Sequence, residues 1–371
     1  MTELDDWQIL LGLFPSEWRQ LGRSSGAVRR LRGFPSLDAM LRTLLLHVGC
    51  GWSLRETSVQ AKLAGIADVS DVTLLNRLRD AENWLRLMCQ ELWKENGVEL
   101  QPSFGGRMVR LVDATVVREP GKTGSQWRIH YSLRLPTLEC DHFHLTSTRG
   151  TGAGERFGRF RFQAGELVLA DAGYCHSAGI AAVAAQKADV CVRLSPHGLP
   201  VFDEKGKPFP LLKLLARLRK AGDLAGWPVW IKSDDRWIAG RVCAIRKSQD
   251  AIVRAQRRLT LKEQTGKTVN EITRIYAEYV LVFTTLPDSE ASVEQVLEVY
   301  RLRWQVELTF KRLKSIAQIG HVPKHDDQSS RAWLYGKLLV ALLSQKLARI
   351  GRNISPWGYL LPQVSDVQSM A

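Results

Sequence analysis

Apolar positions recur with two different periods along this chain, and the change of period divides it. From residue 1 to about 100 the spacing is helical throughout. Leu37, Met40, Leu41, Leu44 and Leu45 fall on one face behind Ser36, a residue suited to capping a helix. Gly49–Gly51 breaks that helix, and Ser53-Leu-Arg-Glu56 is a capping box for a second one to about Leu63, ended by Gly65. Ser70 caps a third, predicted from about Asp71 to Trp93, and the turn-rich stretch Asn96 to Phe104 reads as a linker. Then the period shortens. Met108 to Val117 is rich in β-branched residues and predicts a strand. Trp127 to Arg134 and Cys140 to Ser147 predict two more, joined by a turn at Pro136, for a three-stranded meander. Glu166-Leu-Val-Leu-Ala is a short apolar strand that ends on Asp171; a helix from about Ser177 to Lys187 and a strand from Asp189 to Leu194 follow.

From Pro196 to about Glu278 the character changes. Prolines 200, 208, 210 and 228 punctuate a basic stretch with strands around Trp230 and from Trp237 to Ile245, and a charged helix from Arg254 to Thr265. This predicts an insertion, after which the apolar strand Tyr279 to Thr285 resumes the core. Ser292-Val-Glu-Gln295 caps the helix leading into Tyr300–Lys314, a stretch without Gly or Pro that reads as one continuous helix. A last amphipathic helix is predicted from Trp333 to Ile350.

Charge narrows the partners. The formal net charge is +14 and the sequence pI about 9.7, which points to a polyanion, with nucleic acid ahead of an anionic membrane. From Arg301 to Arg352 there are 11 basic residues against 3 acidic ones, so the excess peaks around the Tyr300 stretch. The six cysteines form no CxxC pair, which argues for reduced thiols and against a zinc module or disulfide framework. The N-terminus has no basic region of the kind that opens a signal peptide, and apolar runs such as Leu338–Leu343 are too short to span a bilayer.

Candidate chemistry gathers on a few acids. Asp113 sits in mid-strand, where Asp is disfavoured, and Asp171 sits at a strand's carboxyl end, where open α/β sheets place their sites. At roughly 100° per residue Tyr300, Arg303, Glu307 and Lys314 share one helical stripe. A solvated face with Arg303–Glu307 as an i,i+4 pair is the competing reading. His130, His142 and His144 read as ordinary strand histidines rather than a metal site. Arg156, Arg159 and Arg161 alternate with Phe157, Phe160 and Phe162, which suits DNA backbone contact and a half-buried edge equally well. In the N-terminal part, a short helix, a turn and a longer helix suit either helix-turn-helix geometry or a plain bundle; in the first case Thr73, Asn76, Arg77 and Arg79 are the candidates to touch DNA.

The spacing Tyr300, two residues, Arg303, three residues, Glu307, six residues, Lys314 resembles the signature of bacterial insertion-sequence transposases of the DDE class. Trp304, Gln305, Phe310 and Lys311 agree around it. Asp171-Ala-Gly-Tyr174 is similar to that class's second-acid motif in its Asp, Gly and Tyr, and departs from it at Ala172, where a basic residue is more usual. The resemblance implies an α/β fold: a ribonuclease-H-like mixed-sheet core (105–195 plus 279–320) with a mostly β insertion (196–278). An all-helical DNA-binding domain (1–100) would precede it and a short helical segment (321–371) would follow. It implies Asp113, Asp171 and Glu307 as the ligands of two Mg²⁺ ions, with Mn²⁺ able to substitute, and Tyr300, Arg303 and Lys314 as phosphate contacts. The implied partner is double-stranded DNA, both transposon ends and target, bound by a homodimer assembled on DNA. The implied location is the cytoplasm, at the nucleoid, with no membrane. The expected activity is cut-and-paste transposition; the alternatives are a nuclease of the same core that cuts without joining, and an inactive DNA-binding derivative.

Overall fold

The computed structural model describes residues 6–352, apart from 29, 96–102, 119–125, 149–153, 196–197, 267, 316–317, 320–321 and 324–325. Most of the Asn96–Phe104 linker, and Gly150 and Gly152 of the glycine-rich stretch Gly150–Gly154, therefore lie outside the described residues. The chain forms two compact units, one of residues 1–98, 116–128 and 310–371, the other of residues 99–115 and 129–309.

The first unit is mostly helical in its described parts, with only the ends of two strands, 116–118 and 126–128, reaching into it. It opens with α1 (Asp6–Leu11), α2 (Trp18–Ser24), α3 (Leu37–Cys50), α4 (Leu54–Leu63), α5 (Asp71–Asp80) and α6 (Glu82–Glu95). The expected caps form: Ser36, Ser53 and Ser70 accept from the N–H groups of Ala39, Glu56 and Thr73 at 3.0, 3.1 and 3.2 Å. Gly51 ends α3 at φ 72°, a left-handed conformation glycine adopts without strain. The helix expected from Asp71 to Trp93 is instead two helices broken at Ala81. Leu74 and Leu78 on α5, and Trp84, Leu85 and Met88 on α6, are all fully buried. Two separately aimed helices bury both apolar sets, and local propensity does not register that demand.

The second unit is built on an eight-stranded sheet in the order β3-β2-β1-β4-β5-β8-β7-β6. The strands are β1 (Met108–Arg118), β2 (Gln126–Arg134), β3 (Glu139–Ser147), β4 (Glu166–Ala170), β5 (Asp189–Arg193), β6 (Leu224–Ser233), β7 (Arg236–Arg246) and β8 (Tyr279–Thr284). β1, β4 and β5 run parallel, while β8 pairs antiparallel with β5 and β7, so the sheet is mixed. The stretch 196–278 adds β6 and β7 to this same sheet, with α8 (Leu211–Leu215), α9 (Gln249–Gln264) and α10 (Glu271–Tyr276) between and after its strands. Pro228 lies inside β6, which tolerates it because β6 is the edge strand of the sheet, its outer side bridged by Phe202 at Trp230.

One face of the sheet carries a buried core of Val112, Val168, Ala170, Val190 and Val192, covered by Phe157, Phe160, Phe162 and Ile180 from the following loop and α7 (Ser177–Ala184). The rings of the Arg/Phe alternation thus face inward. Leu111, Leu169 and Cys191 alternate with these residues and project from the opposite face. There α11 (Val293–Arg301) packs, with the Cys191 Sγ 3.9 Å from the Val296 carbonyl. Its cap is the predicted box, with Ser292 and Gln295 bonding each other's backbone N–H groups.

The continuous helix expected over Tyr300–Lys314 is broken. α11 ends at Arg301 and α12 (Trp304–Ser315) begins after a tight turn at Leu302 and Arg303. The N–H groups of Leu302, Arg303, Gln305 and Val306 each reach back three residues rather than four, at 2.9 to 3.2 Å. Tighter winding of this kind re-aims a helix without Gly or Pro. Val296, Val299 and Tyr300 before the turn and Val306 and Thr309 after it are buried, while Leu302 and Trp304 at the turn are exposed.

The last described helix, α13 (Asp327–Arg352), belongs to the first unit and packs on α6, α3 and α5. Among the described residues no helix is long and apolar enough to cross a membrane.

Candidate functional site

Asp113 and Asp171 come together through strand register. Parallel pairing sets Met108 beside Glu166 and Leu111 beside Leu169. Carried two residues further, the same register sets Asp113 opposite Asp171. Both then point to the face that carries α11, away from the Val112–Val168 core. Asp171 stands just past β4 and caps a 3₁₀ turn, Ala172–Tyr174, accepting the Gly173 N–H at 2.8 Å. Asp113 accepts from the Ala114 N–H at 2.8 Å.

The electrostatics follow from that placement. Burial, joined by the charges of Asp171 and Glu155, pushes the Asp113 carboxyl up to about 7; the Ala114 N–H and the Arg303 guanidinium pull the other way. Two further acids and one arginine thus act on Asp113. Arg303 sits at the turn between α11 and α12 and donates to Glu307 at 2.5 Å. Glu307 is thus held by Arg303. Among the described residues no set of three His, Cys, Asp or Glu side chains is arranged to hold a metal ion.

Tyr300 is 8% exposed, and its buried hydroxyl has no hydrogen-bond partner among the described residues. Burial raises its phenol above the ordinary range, and Arg303, Arg193 and Asp171 are among the charges that act on it. Lys314 lies on α12, and its side chain is outside the described residues.

Two residues of this site went unremarked in the sequence. Arg193 ends β5 exposed to solvent, and the β4–β5 register that sets Ala170 beside Val192 places it next to Asp171. Glu155 follows the glycine-rich stretch. Its carboxylate fills the place that a Cβ on Gly173 would take: the Glu155 Cδ lies 2.8 Å from that point and the Asp171 Oδ1 lies 3.1 Å from it. Side-chain absence at Gly173, rather than backbone freedom, is what the Asp-Ala-Gly-Tyr motif supplies here.

The donor chemistry is of the kind a hard divalent cation takes, although the described acids are not gathered around one point. The acids offer carboxylate oxygens alone, which Mg²⁺ takes in small number while keeping several waters. The buried Tyr300 hydroxyl, without a hydrogen-bond partner among the described residues, leaves unused hydrogen-bonding capacity beside these acids.

The candidate DNA contacts of the helical unit are partly engaged. Arg79 pairs with Asp326 at 3.0 Å. Arg77 donates to the Arg30 carbonyl at 2.7 Å and also pairs with Asp80. Thr73, Asn76 and Arg77 line a polar groove of about 630 Å³ together with Arg30 and Arg32. On the sheet, the His142 imidazole is lowered to about 4, chiefly by burial. Beneath it Arg110, Arg134, Asp141 and Glu166 form a buried ion-pair network.

Comparison with known proteins identifies the family. Residues 104–343 match the family model described as a transposase DDE domain. InsL of the insertion sequence element IS186A from Escherichia coli K12 is 31% identical over 361 residues, covering 95% of this chain and 96% of that protein. The transposase for insertion sequence element IS421 from Escherichia coli is also 31% identical, over 362 residues, with the same coverage of both chains. The transposase for IS231F from Bacillus thuringiensis subsp. israelensis is 29% identical over 111 residues, 30% of this chain and 23% of that one.

Proposed function

This chain belongs to the DDE-domain transposases of bacterial insertion sequences, and on that premise we propose that it binds the inverted-repeat ends of its element, cleaves them and joins the 3′ ends to target DNA. The observation that carries this reading is the β1–β4 register, which brings a mid-strand acid, Asp113, beside a strand-end acid, Asp171. We read the second unit's sheet as the ribonuclease-H-like core, with 196–278 inserted between β5 and β8.

Asp113, Asp171 and Glu307 are the proposed ligands. Held by these carboxylates, a pair of Mg²⁺ ions, or Mn²⁺ in their place, would supply activation of the attacking water or 3′ hydroxyl and charge to steady the leaving oxygen. The rest falls to the chain's own groups. Arg303, now paired with Glu307, prefers the bidentate geometry that a phosphate also offers. A DNA phosphate arriving there takes over the guanidinium and releases Glu307 toward the aspartates. Tyr300 has a buried hydroxyl to offer a phosphate oxygen, and Lys314 supplies a point charge.

In the helical unit, α4 and α5 form the proposed helix-turn-helix. Thr73, Asn76 and Arg77 face the DNA from the polar groove, and Arg79 braces α5 through Asp326. A homodimer assembled on double-stranded DNA, in the cytoplasm at the nucleoid, completes the reading.

The test is strand transfer. Purified protein, Mg²⁺ and a labelled duplex of the element end should yield the end joined through its 3′ hydroxyl to a target plasmid. Cut ends without joined product would assign the chain to the nucleases instead.

A further inference from the structure

Resting on that reading, we propose that His176 is a positioning residue for strand cleavage, its imidazole tying the loop 155–162 to the turn that carries Asp171.

The bonding is fixed by its partners. His176 stands just before α7 and caps it, Nδ1 accepting the Gly179 N–H at 3.2 Å. On the other side of the ring, Nε2 lies 3.1 Å from the Glu155 carbonyl. A carbonyl oxygen only accepts and an amide N–H only donates, so Nε2 carries the ring hydrogen and Nδ1 its lone pair. One neutral tautomer therefore serves both contacts, and the same imidazole starts a helix and holds a loop from earlier in the chain.

Two missing side chains let that loop close. A Cβ on Gly179 would lie 2.5 Å from the His176 Cε1 and 3.2 Å from the Phe157 Cδ2, so its absence makes room for the imidazole and the phenyl ring together. A Cβ on Gly173 would fall where the Glu155 carboxylate lies, with the Asp171 Oδ1 3.1 Å from that point. Phe157 is fully buried, its ring centroid 5.0 Å from that of Tyr174. The loop thus seats against both glycines, and His176 is a polar tie between them.

The consequence falls on Asp171. Its Oδ1 accepts the Gly173 N–H at 2.8 Å. With Glu155 in the space over Gly173, the Asp171 carboxylate has no room to swing across the turn, and it keeps one orientation beside Asp113. Losing the bond from His176 loosens the Glu155 end of the loop and Asp171 with it. A misplacement of about 1 Å at a reacting group costs on the order of a hundred-fold in rate.

Two substitutions separate the tie from the cap. His176→Asn keeps a side-chain oxygen for the Gly179 N–H, since Asn is a good capping residue, and is too short to reach the Glu155 carbonyl. His176→Gln keeps an N–H at nearly the reach of Nε2 and gives up the cap. The test is single-turnover cleavage of an element-end duplex by the full-length protein with Mg²⁺. His176→Asn should lower the maximal rate about ten-fold, and His176→Gln should recover most of that loss. The half-saturating concentration should stay within about twofold of wild type in both, because duplex affinity comes from many phosphate contacts. Melting temperatures should run the other way, with His176→Gln below His176→Asn. Hydrogen exchange read by mass spectrometry should show residues 155–162 opening faster in His176→Asn than in His176→Gln. A wild-type rate in His176→Asn, or rates that merely follow the melting temperatures, would overturn the inference and leave His176 a helix cap. A wild-type protein that binds the duplex and never cuts it would instead overturn the cleavage reading on which the inference rests.

Discussion

At Asp113 the cost of building this site is visible in one carboxyl group. Its ordinary value is 3.8, and burial together with Asp171 and Glu155 pushes it up to about 7. Between those values the folded protein holds a proton that the unfolded chain has lost, so this group's contribution to stability falls as pH rises through that window. Asp113→Asn should therefore raise the melting temperature of the metal-free protein by a few degrees at pH 8 and change it little at pH 4, as scanning calorimetry would show. Added Mg²⁺ should stabilise wild type and not the variant. Gly173 makes the matching steric point. Gly173→Ala puts a methyl group where Glu155 lies and should destabilise by about 1–3 kcal/mol, measured by urea denaturation. Asp113 and Asp171 were legible in the sequence because an acid within or just after an apolar strand is unusual enough to require a reason. Glu155 was not, since it follows a glycine-rich stretch with no periodic pattern and reaches the site only when the loop folds back on Gly173.

Among the elements, the break between α11 and α12 matters most. Nothing local announces it: no Gly or Pro occurs, and the i,i+4 pair Arg303–Glu307 suits an unbroken helix. Burial of apolar side chains on both sides of the turn decides it. Arg303 is left at the turn with Glu307 as its partner. Arg303→Ala should lower end cleavage by at least ten-fold, in line with losing a preorganised charge at the reaction. Duplex binding should stay within about threefold, since affinity comes from many phosphate contacts; gel shift and strand-cleavage assays on the same duplex measure the two separately. The caps, in contrast, were readable from four-residue patterns. Ser292 and Gln295 close the predicted box, and Ser292→Ala should cost about 1 kcal/mol of stability by urea denaturation. Strand assignments held where β-branched runs were long, and the extent of β6 was missed because Pro228 reads as punctuation until its edge position is known. That α13 completes the helical unit, through ion pairs such as Arg331–Glu82, depends on contacts between segments some 250 residues apart, which no window of sequence contains.

For the whole molecule the governing quantity is charge. A net +14 makes binding to duplex DNA steeply salt-dependent. The acids work against it, since each uncompensated carboxylate repels the DNA backbone when no metal is bound. The central claim is that Asp113, Asp171 and Glu307 act on DNA by chemistry and not by holding it. It is tested most directly by a labelled duplex of the element end, incubated with Mg²⁺ and scored on one gel for shifted complex and on another for cut strand. Asp113→Ala, Asp171→Ala and Glu307→Ala should each abolish cutting while binding stays at the wild-type level or tightens. An alanine variant that still cuts at the wild-type rate, or one that loses the complex along with the cut, would contradict the account at that acid.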